Sequence, residues 1–562
     1  MRICVVCLDG ATWRLLDPFM EEGTLPLFSL LKNTGVSGVL RSVYPPLSAP
    51  AWVSFLSSMN PAKHGVFDFD LGITSNYRSR KEREKGKKKL VDSSVYNDLP
   101  NLFDILSDNG RSVFSLALPI TYPPRPLNGY LFTGFLTPPS AEIFTFPFEM
   151  SREIRKDFPA YTPDIPFKTR PSRLESQASL FTEEGREDAS QMIREVLETE
   201  IDDLTESELY FLKEILDVSR RKIALLEWSA SSGRFPLDMN IIYFRDMDLT
   251  QHFFWERKEI LRGIYKHMDR LLGEILSHFD KDTDYVFVIS DHGFGPIEND
   301  IVYLNTFLAK SGYLKVQRKS MADTSIRRLR SRLGSSALKK HLTRMTFIKK
   351  RKAYLQTVKY PAIDYEQSSA WADGIGGLEG IYINKNLAEP LREELRNRIY
   401  KDLTDKLDDS FQGIHFKEDL YTGQYMDRIP DIVTMPRSGT RCSLEFDARM
   451  KGSASDGPEQ SGHHRAEMDG IFLCTAPFEM QASGDKTYSL MDIVPTVLHL
   501  MGCKIDSRMD GALIRDILPK SEATKERPEF IEYRPHVVDS LHQKEANQKV
   551  VEQLKNLGYI DE

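Results

Sequence analysis

Apolar, β-branched residues form three short runs that are typical of buried strands in a parallel sheet. The runs are Ile3 to Leu8, Met239 to Phe244 and Tyr285 to Ile289. An aspartate follows each run within a few residues: Asp9, Asp248 and Asp291. In open α/β sheets, ligands bind beyond the carboxyl ends of the strands. The pattern therefore predicts an α/β fold with a site built on three strand ends.

Helical periodicity and turn residues divide the rest of the chain into core segments and insertions. Helices are predicted between Gly10 and Leu31, from Ala51 to Met59, from Asn101 to Asn109, from about Glu187 to Trp228, around Glu256 to Phe279 and from Met491 to Met501. The predicted organisation is a core in three parts (1–135, 236–308 and 361–520), an exposed charge-rich loop at 73–100, an inserted cap at 136–235, a basic insertion at 309–360 and a tail at 521–562.

Composition narrows the class of protein. With 41% hydrophobic and 28% charged residues, the chain is typical of globular proteins. A net charge of −7 does not indicate a nucleic-acid partner. Five scattered cysteines favour a reducing compartment. Met1 and Arg2 lead directly into the first predicted strand, and no apolar run of about 18 residues exists. We therefore expect a cytoplasmic protein.

One segment departs strongly from the average charge. Residues 315–352 contain fourteen lysines and arginines and a single acidic residue, Asp323. Six apolar residues have partial helical spacing there: Ile326, Leu329, Leu333, Leu338, Leu342 and Ile348. A solvated basic loop is the simplest interpretation. The alternatives are an amphipathic helix that binds an anionic membrane surface, and a patch that attracts a polyanionic substrate or nucleic acid.

Residues that can bind a metal ion or act as a nucleophile are concentrated in five short segments. Two divalent cations about 3.5–4 Å apart need about six or seven nitrogen and oxygen ligands. The segments supply Asp9, Asp248, His252, Asp291, His292, His464 and the Ser48 hydroxyl. Asp248 and His252 are four residues apart, so one helical turn places them on the same face. Ser48 precedes a plausible helix start, where backbone N–H groups favour an anion.

Two assignments stay open on this reasoning. Asp246 could replace Asp248, although only Asp248 has a histidine four residues later. His463 competes with its neighbour His464. Three other polar residues near these segments have simpler structural interpretations: His64, Ser54 and Thr250.

The motifs together resemble the alkaline phosphatase superfamily, and most closely its type I phosphodiesterase/nucleotide pyrophosphatase branch. The resemblance is carried by Asp9-Gly10, by Ser48 two residues before Pro50, by His64-Gly65, by Asp248 with His252, by Asp291-His292-Gly293 and by His464. It covers about 300 of the 562 residues. An alkaline phosphatase-like core is implied, with a largely parallel central sheet, helices on both faces and inserted cap elements.

The resemblance also implies a function. It suggests a hydrolase of phosphate esters that acts through a phosphoseryl intermediate on Ser48. Two cations, Zn²⁺ first and Mn²⁺ second, would be held by Asp9, Ser48, Asp291 and His292, and by Asp248, His252 and His464. Phe69 stands where the nucleotide pyrophosphatases place an asparagine that binds the phosphoryl group. A phosphomonoesterase or phosphotransferase is therefore one alternative, and a non-catalytic, metal-stabilised binding or membrane-surface protein is another. The motifs do not identify the substrate or the oligomeric state.

Overall fold

The computed structural model of the chain describes residues 1–71, 90–159, 161–164, 182–198, 203–297, 299–316, 363–375, 377–453, 461–478, 486–519 and 529–536. Three sequence predictions lie outside these residues, wholly or for the most part. They concern the charge-rich loop, the basic segment 315–352 and the tail at 521–562.

A nine-stranded sheet forms the centre of the structure. Its strands are β1 (Ile3–Leu8), β2 (Val36–Arg41), β3 (Val113–Leu116), β4 (Gly129–Phe132), β5 (Thr145–Phe146), β6 (Met239–Phe244), β7 (Tyr285–Ile289), β17 (Asp469–Thr475) and β18 (Lys486–Ser489). They lie in the order β18-β2-β17-β7-β1-β6-β3-β4-β5. The strands from β7 to β4 in this order are parallel, whereas β17 and β5 run antiparallel to their neighbours. The predicted α/β fold with a largely parallel sheet is confirmed.

The three strands predicted from apolar runs are neighbours, with β1 between β6 and β7. Every residue of all three is buried. Because successive side chains of a strand point to opposite faces, both faces of the sheet must be covered. The register pairs Leu8 with Phe244 and Cys7 with Ile289. Asp9 and Asp291 therefore leave their strands at the same level.

Helices connect the strands along the described chain. They are α1 (Trp13–Glu21), α2 (Pro26–Thr34), α3 (Ser48–Ser57), α4 (Pro61–His64), α5 (Leu102–Asp108), α6 (Met150–Asp157), α7 (Glu183–Leu197), α8 (Glu206–Ser231), α9 (Asp246–Phe254), α10 (Lys258–Leu276), α11 (Leu304–Lys310), α12 (Glu389–Leu407), α13 (Lys417–Leu420) and α14 (Ile493–Leu500). The periodicity from Glu187 to Trp228 belongs to two helices, α7 and α8. The helix predicted from Ala51 starts three residues earlier, at Ser48.

A second, four-stranded antiparallel sheet lies within the span 361–520. It contains β10 (Ala370–Ile375), β11 (Leu378–Ile383), β12 (Phe411–Phe416) and β13 (Ile432–Pro436), in the order β10-β11-β13-β12. This sheet packs with α11 and α12 around its own hydrophobic cluster, which includes Trp371, Ile399 and Phe307. Among the described strands of this span, β17 and β18 join the central sheet.

Smaller sheets complete the described fold. They pair β14 (Thr440–Ser443) and β15 (Lys451–Ser453) with β9 (Asp300–Tyr303), β16 (Gly462–His463) with β8 (Gly295–Pro296), and β19 (Ile505–Asp506) with β20 (Phe530–Ile531). None of the helices in the described residues has the length and apolar character needed to cross a membrane.

Candidate metal centre and nucleophile

Asp248, His252 and His464 form the first group of candidate ligands. Asp248 and His252 lie one turn apart in α9, and Asp248 Oδ1 is 3.4 Å from His252 Nε2. His464 follows β16, and its Nε2 lies 3.8 Å from the same oxygen. The candidate ligand atoms of the three residues are all within 4.8 Å of one another. A single cation could therefore contact all three.

Asp9, Asp291 and His292 form the second group. His292 Nε2 lies 3.6 Å from Asp9 Oδ1 and 3.3 Å from Asp291 Oδ2. The three side chains are fully buried, and their ligand atoms again lie within 4.8 Å of one another. The shared level at which β1 and β7 end explains why residues so far apart in the chain meet here.

The two groups adjoin. The rings of His292 and His464 stack with their centroids 3.9 Å apart and their planes 10° from parallel. His252 packs edge-on against His464, with the ring centroids 5.2 Å apart. The arrangement thus forms one buried site with two ligand groups side by side.

Gly10 brings the strand ends close together. Its N–H donates to Asp291 Oδ1 at 3.2 Å, and its carbonyl accepts from Gln251 Nε2 at 2.9 Å. A Cβ at this position would lie 3.2 Å from Asp248 Cβ, and the φ of +68° already disfavours other residues. Only glycine lets α9 approach the end of β1 this closely.

Three histidines share one orientation. Each directs Nδ1 at a backbone carbonyl oxygen: His252 at Gly462 (3.2 Å), His292 at Gly293 (3.0 Å) and His464 at Pro46 (2.8 Å). A carbonyl only accepts, so Nδ1 of each ring donates and Nε2 of the neutral ring keeps its lone pair. Histidines that bind metal ions are generally oriented by such a bond. All three Nε2 atoms belong to the two ligand groups.

Two aromatic side chains fix the carboxylate of Asp9. Trp52 Nε1–H and the Tyr243 hydroxyl both donate to Asp9 Oδ2, at 3.2 and 2.5 Å. Oδ1, the oxygen nearer His292, therefore remains available to a cation. Sequence reasoning missed both residues. Their signal is an aromatic side chain with a polar atom inside an otherwise apolar segment, and this signal is weak because such residues are common in cores.

The donor set fits divalent cations. Within the two ligand groups, four carboxylate oxygens and one imidazole nitrogen are buried without a hydrogen-bond partner among the described residues: Asp9 Oδ1, Asp248 Oδ1 and Oδ2, Asp291 Oδ2 and His292 Nε2. Burying unpaired carboxylates is costly. Burial and the neighbouring Asp248 raise the pKa of Asp9 to about 7. Burial, Asp9 and Asp248 likewise raise the pKa of Asp291 well above its usual value. Two cations would offset this repulsion.

Ser48 is tied to both ligand groups through its own segment. It is the first residue of α3 and is 4% exposed. Two residues before it, the carbonyl of Pro46 accepts from His464 Nδ1. One turn after it, Trp52 donates to Asp9. Because α3 begins at Ser48 and Pro50 has no N–H, the amide groups of Ser48 and Ala49 are the ones in its first turn that can face an anion.

The structure distinguishes the two alternative ligands, Asp246 and His463, from Asp248 and His464. Asp246 lies near Lys222 and Ser219 and belongs to neither ligand group. His463 stands outside the two groups, although its ring centroid is 5.1 Å from that of His464.

The residues given structural interpretations have partners. His64 accepts from the N–H of Val66 and contacts Ser54 Oγ at 2.8 Å, so its ring is satisfied by one backbone group and one side chain. The Thr250 hydroxyl donates to the Asp246 carbonyl within α9. Neither His64 nor Thr250 belongs to the ligand groups.

Two buried basic side chains next to the site, Arg245 and Lys222, were also not predicted from the sequence. The guanidinium of Arg245 lies 3.3 Å from Asp164 and 4.0 Å above the ring of Phe135. Lys222, in α8, donates to the carbonyl of Tyr243 at 3.2 Å. Arg245 favours the charged form of Asp9. A lysine inside a long amphipathic helix gives no signal of burial in the sequence.

Comparisons with known proteins give one family. The family model described as type I phosphodiesterase/nucleotide pyrophosphatase matches residues 3–464. No curated protein matches the chain in sequence.

Several solved structures are similar to the chain at low identity. Human ectonucleotide pyrophosphatase/phosphodiesterase 5 is 13% identical, with 91% of this chain and 97% of that chain covered and a TM-score of 0.46. Phosphonoacetate hydrolase from Sinorhizobium meliloti, in complex with phosphonoacetate, is 15% identical over 89% and 95% of the two chains, with a TM-score of 0.47. A variant of alkaline phosphatase PafA is 12% identical over 92% and 98%, with a TM-score of 0.48.

Proposed function

Because the chain belongs to the type I phosphodiesterase/nucleotide pyrophosphatase family and is a phosphoric ester hydrolase, we propose that it cleaves phosphodiesters through a phosphoseryl intermediate on Ser48. The observation that carries this proposal is the pair of adjoining ligand groups, whose buried oxygens and nitrogen have no partner in the described protein. Ser48 is the hydroxyl whose own segment is bonded to both groups.

Two divalent cations are part of the proposal. Asp9, Ser48, Asp291 and His292 would hold one, and Asp248, His252 and His464 the other. Mixed carboxylate and imidazole donors suit Zn²⁺ best and Mn²⁺ second. When bound, such cations lower the pKa of a hydroxyl ligand and neutralise charge on the phosphoryl group.

The residues of the chain then perform a two-step substitution. The Ser48 Oγ attacks phosphorus, forming a new P–O bond while the bond to the leaving alcohol breaks and the alcohol departs. The amide groups of Ser48 and Ala49 at the start of α3 can orient the phosphoryl oxygens during this step. Water then attacks the phosphoserine, which releases phosphate monoester and restores the Ser48 hydroxyl.

Tyr243→Phe tests how Asp9 is held. The variant loses the shorter of the two hydrogen bonds to Asp9 Oδ2 and keeps the one from Trp52. Loss of a partner that orients a ligand costs about 10- to 100-fold in metal affinity. We expect a loss of about that size for one of two cations in a titration with a competing chelator. Tyr488→Phe, which removes a tyrosine–aspartate bond in β18, is the matched control and should bind both cations normally. Unchanged affinity in Tyr243→Phe would argue against Asp9 as a ligand.

Phe69 bears on whether the protein prefers phosphodiesters or phosphomonoesters. Phe69 is 1% exposed and packs edge-on against Phe135, with the ring centroids 5.6 Å apart. Its side chain offers no hydrogen-bond donor to a phosphoryl oxygen, which favours the alternative of a phosphomonoesterase or phosphotransferase. Chromogenic monoester, diester and sulfate substrates, each assayed with Zn²⁺ and with Mn²⁺, decide between the alternatives. Faster turnover of the diester supports the first proposal, and faster turnover of the monoester replaces it.

We also propose a cytoplasmic location, in line with five cysteines that are all free and buried.

Peripheral binding to an anionic membrane through residues 315–352 is a separate proposal, carried by the charge of that segment. If it is right, the protein should sediment with vesicles that contain anionic lipid and should dissociate as salt rises, because each lysine or arginine near the surface contributes about 1 kcal/mol. Neutral vesicles are the control. Equal, negligible binding to both vesicle types would rule the membrane proposal out.

A further inference from the structure

His463 differs from the three candidate ligand histidines in the direction of its hydrogen bonds. Its Nδ1 accepts from two backbone N–H groups, those of His464 at 2.8 Å and Arg465 at 3.0 Å. An atom that accepts twice carries no proton, so the proton of the neutral ring lies on Nε2. In the other three rings, Nδ1 points at a carbonyl and Nε2 keeps its lone pair.

This tautomer decides what His463 can bind. With Nδ1 occupied by two donors and Nε2 protonated, the neutral ring has no lone pair left for a cation. It can instead donate a hydrogen bond from Nε2, and the acceptor must be an oxygen or another lone-pair atom. The chemistry of His463 therefore suits an anion bound beside the cations.

The position of His463 suits the same role. Its ring packs against His252 and His464, with centroid distances of 5.5 and 5.1 Å. These two rings are buried, with 7% and 4% exposure, whereas His463 is half-buried and so lies on the solvent side of the ligand groups. Antiparallel pairing of His463 with Gly295 fixes its backbone.

We propose that His463 binds substrate by donating a hydrogen bond from Nε2–H to a phosphoryl oxygen, an assignment that rests on the proposed function. Donors placed where negative charge develops contribute strongly to catalysis of such reactions. The side chain of Phe69 cannot supply a donor, and the bond from His463 would supply one from a different part of the chain. The ligand class is a phosphate ester or its product, inorganic phosphate.

Two substitutions separate the functions of the two ring nitrogens. In His463→Asn, the amide oxygen can replace Nδ1 as acceptor of the two backbone N–H groups, but the donor at Nε2 is lost. In His463→Gln, the amide nitrogen reaches the position of Nε2 and keeps a donor there. The probe is inorganic phosphate, titrated by calorimetry into the Zn²⁺-loaded protein, and metal content is measured on each sample.

We expect His463→Asn to raise the Kd for phosphate by about 10- to 100-fold, the usual effect of losing a hydrogen bond to a charged group. His463→Gln should show a distinctly smaller increase, and both variants should keep two cations per chain. His278→Asn, which alters a histidine paired with Glu227 at the surface, is the matched control. Equal phosphate affinity in the Asn variant and the natural protein overturns the proposal. Loss of a cation in both His463 variants also overturns it, because His463 would then be a ligand.

The same titration separates this proposal from the proposed function. Ser48→Ala should still bind phosphate if cations and His463 form the anion site. If the natural protein binds phosphate and depends on His463, but hydrolyses no ester, the proposed function fails and the assignment of His463 stands. If hydrolysis is normal and the two His463 variants behave alike, only the assignment of His463 fails.

Discussion

Replacement of Ser48 by alanine is expected to lower kcat by roughly three to six orders of magnitude, the range seen when the nucleophile of a catalytic unit is removed. The hydroxyl would be one metal ligand among several, but it is the nucleophile of the first step in the proposed reaction. The fold should be unaffected, because no side-chain hydrogen bond of the described structure depends on Ser48 Oγ, and α3 is held by Trp52 and by its apolar face.

Ser57→Ala is the matched control for this variant. Ser57 lies in the same helix, is equally buried, and its hydroxyl donates only to the carbonyl of Val53 one turn earlier. It should keep nearly full activity. Activity within tenfold of normal in Ser48→Ala would show that water attacks phosphorus directly. Mass spectrometry of acid-quenched turnover samples gives an independent measurement, since the natural protein should carry a phosphoryl group on Ser48 and Ser48→Ala should carry none.

The strands that position the site could be predicted because their signal is local. β1, β6 and β7 are continuous apolar runs, and their ends carry Asp9, Asp248 and Asp291. A parallel sheet then requires these ends to lie at one edge. The spacing of Asp248 and His252 fixes their common face in α9 without any knowledge of the fold.

Other features depend on contacts that the sequence does not encode locally. The start of α3 at Ser48 follows from packing of Pro46 and Trp52 against the two ligand groups, whereas the Pro50-Ala51 pair alone suggested a later start. The sequence does not distinguish the strands of the second sheet from those of the central sheet, because short strands such as β11 and β13 resemble any other strand. Their antiparallel partners decide to which sheet they belong.

The choice between His463 and His464 shows the same limit. In the sequence they are adjacent and chemically identical. The structure distinguishes them by a bond that each makes to the backbone, because His464 donates to Pro46 and His463 accepts from the two N–H groups that follow it. The distance of 418 residues between Pro46 and His464 places this information beyond local patterns.

A second large effect is expected for Asp291→Asn, on the free energy of unfolding. Its sign should depend on whether metal is bound. Asp291 is fully buried and lies beside Asp9, so in the metal-free protein its charge is opposed by burial and by a neighbouring carboxylate. Asparagine keeps the oxygen that accepts from Gly10 and removes the charge. With metal removed by chelation at pH 8, the variant should therefore be more stable than the natural protein, by about 1–3 kcal/mol.

In the presence of Zn²⁺ the order should reverse. A cation that binds only the folded chain stabilises it in proportion to the logarithm of its concentration over Kd, and Asp291→Asn loses a charged ligand. The variant should then melt at a lower temperature than the natural protein and have almost no activity. Asp284→Asn is the matched control at the other end of β7. It breaks an ion pair with Arg2, which has an N–O distance of 2.6 Å, so it should not gain stability with or without metal.

The pH dependence of the metal-free protein completes this test. Asp9 has a pKa of about 7 in the folded chain, raised by burial and Asp248, against an unfolded value near 4. Between these two values the unfolded chain releases a proton that the folded chain retains, so stability of the metal-free protein should fall as pH rises from about 4 to about 7. Asp291→Asn removes a neighbouring carboxylate and should flatten this fall. Melting curves with and without chelator at several pH values measure both effects. If the variant is less stable than the natural protein under every condition, the result contradicts the charge repulsion on which the two-cation site depends.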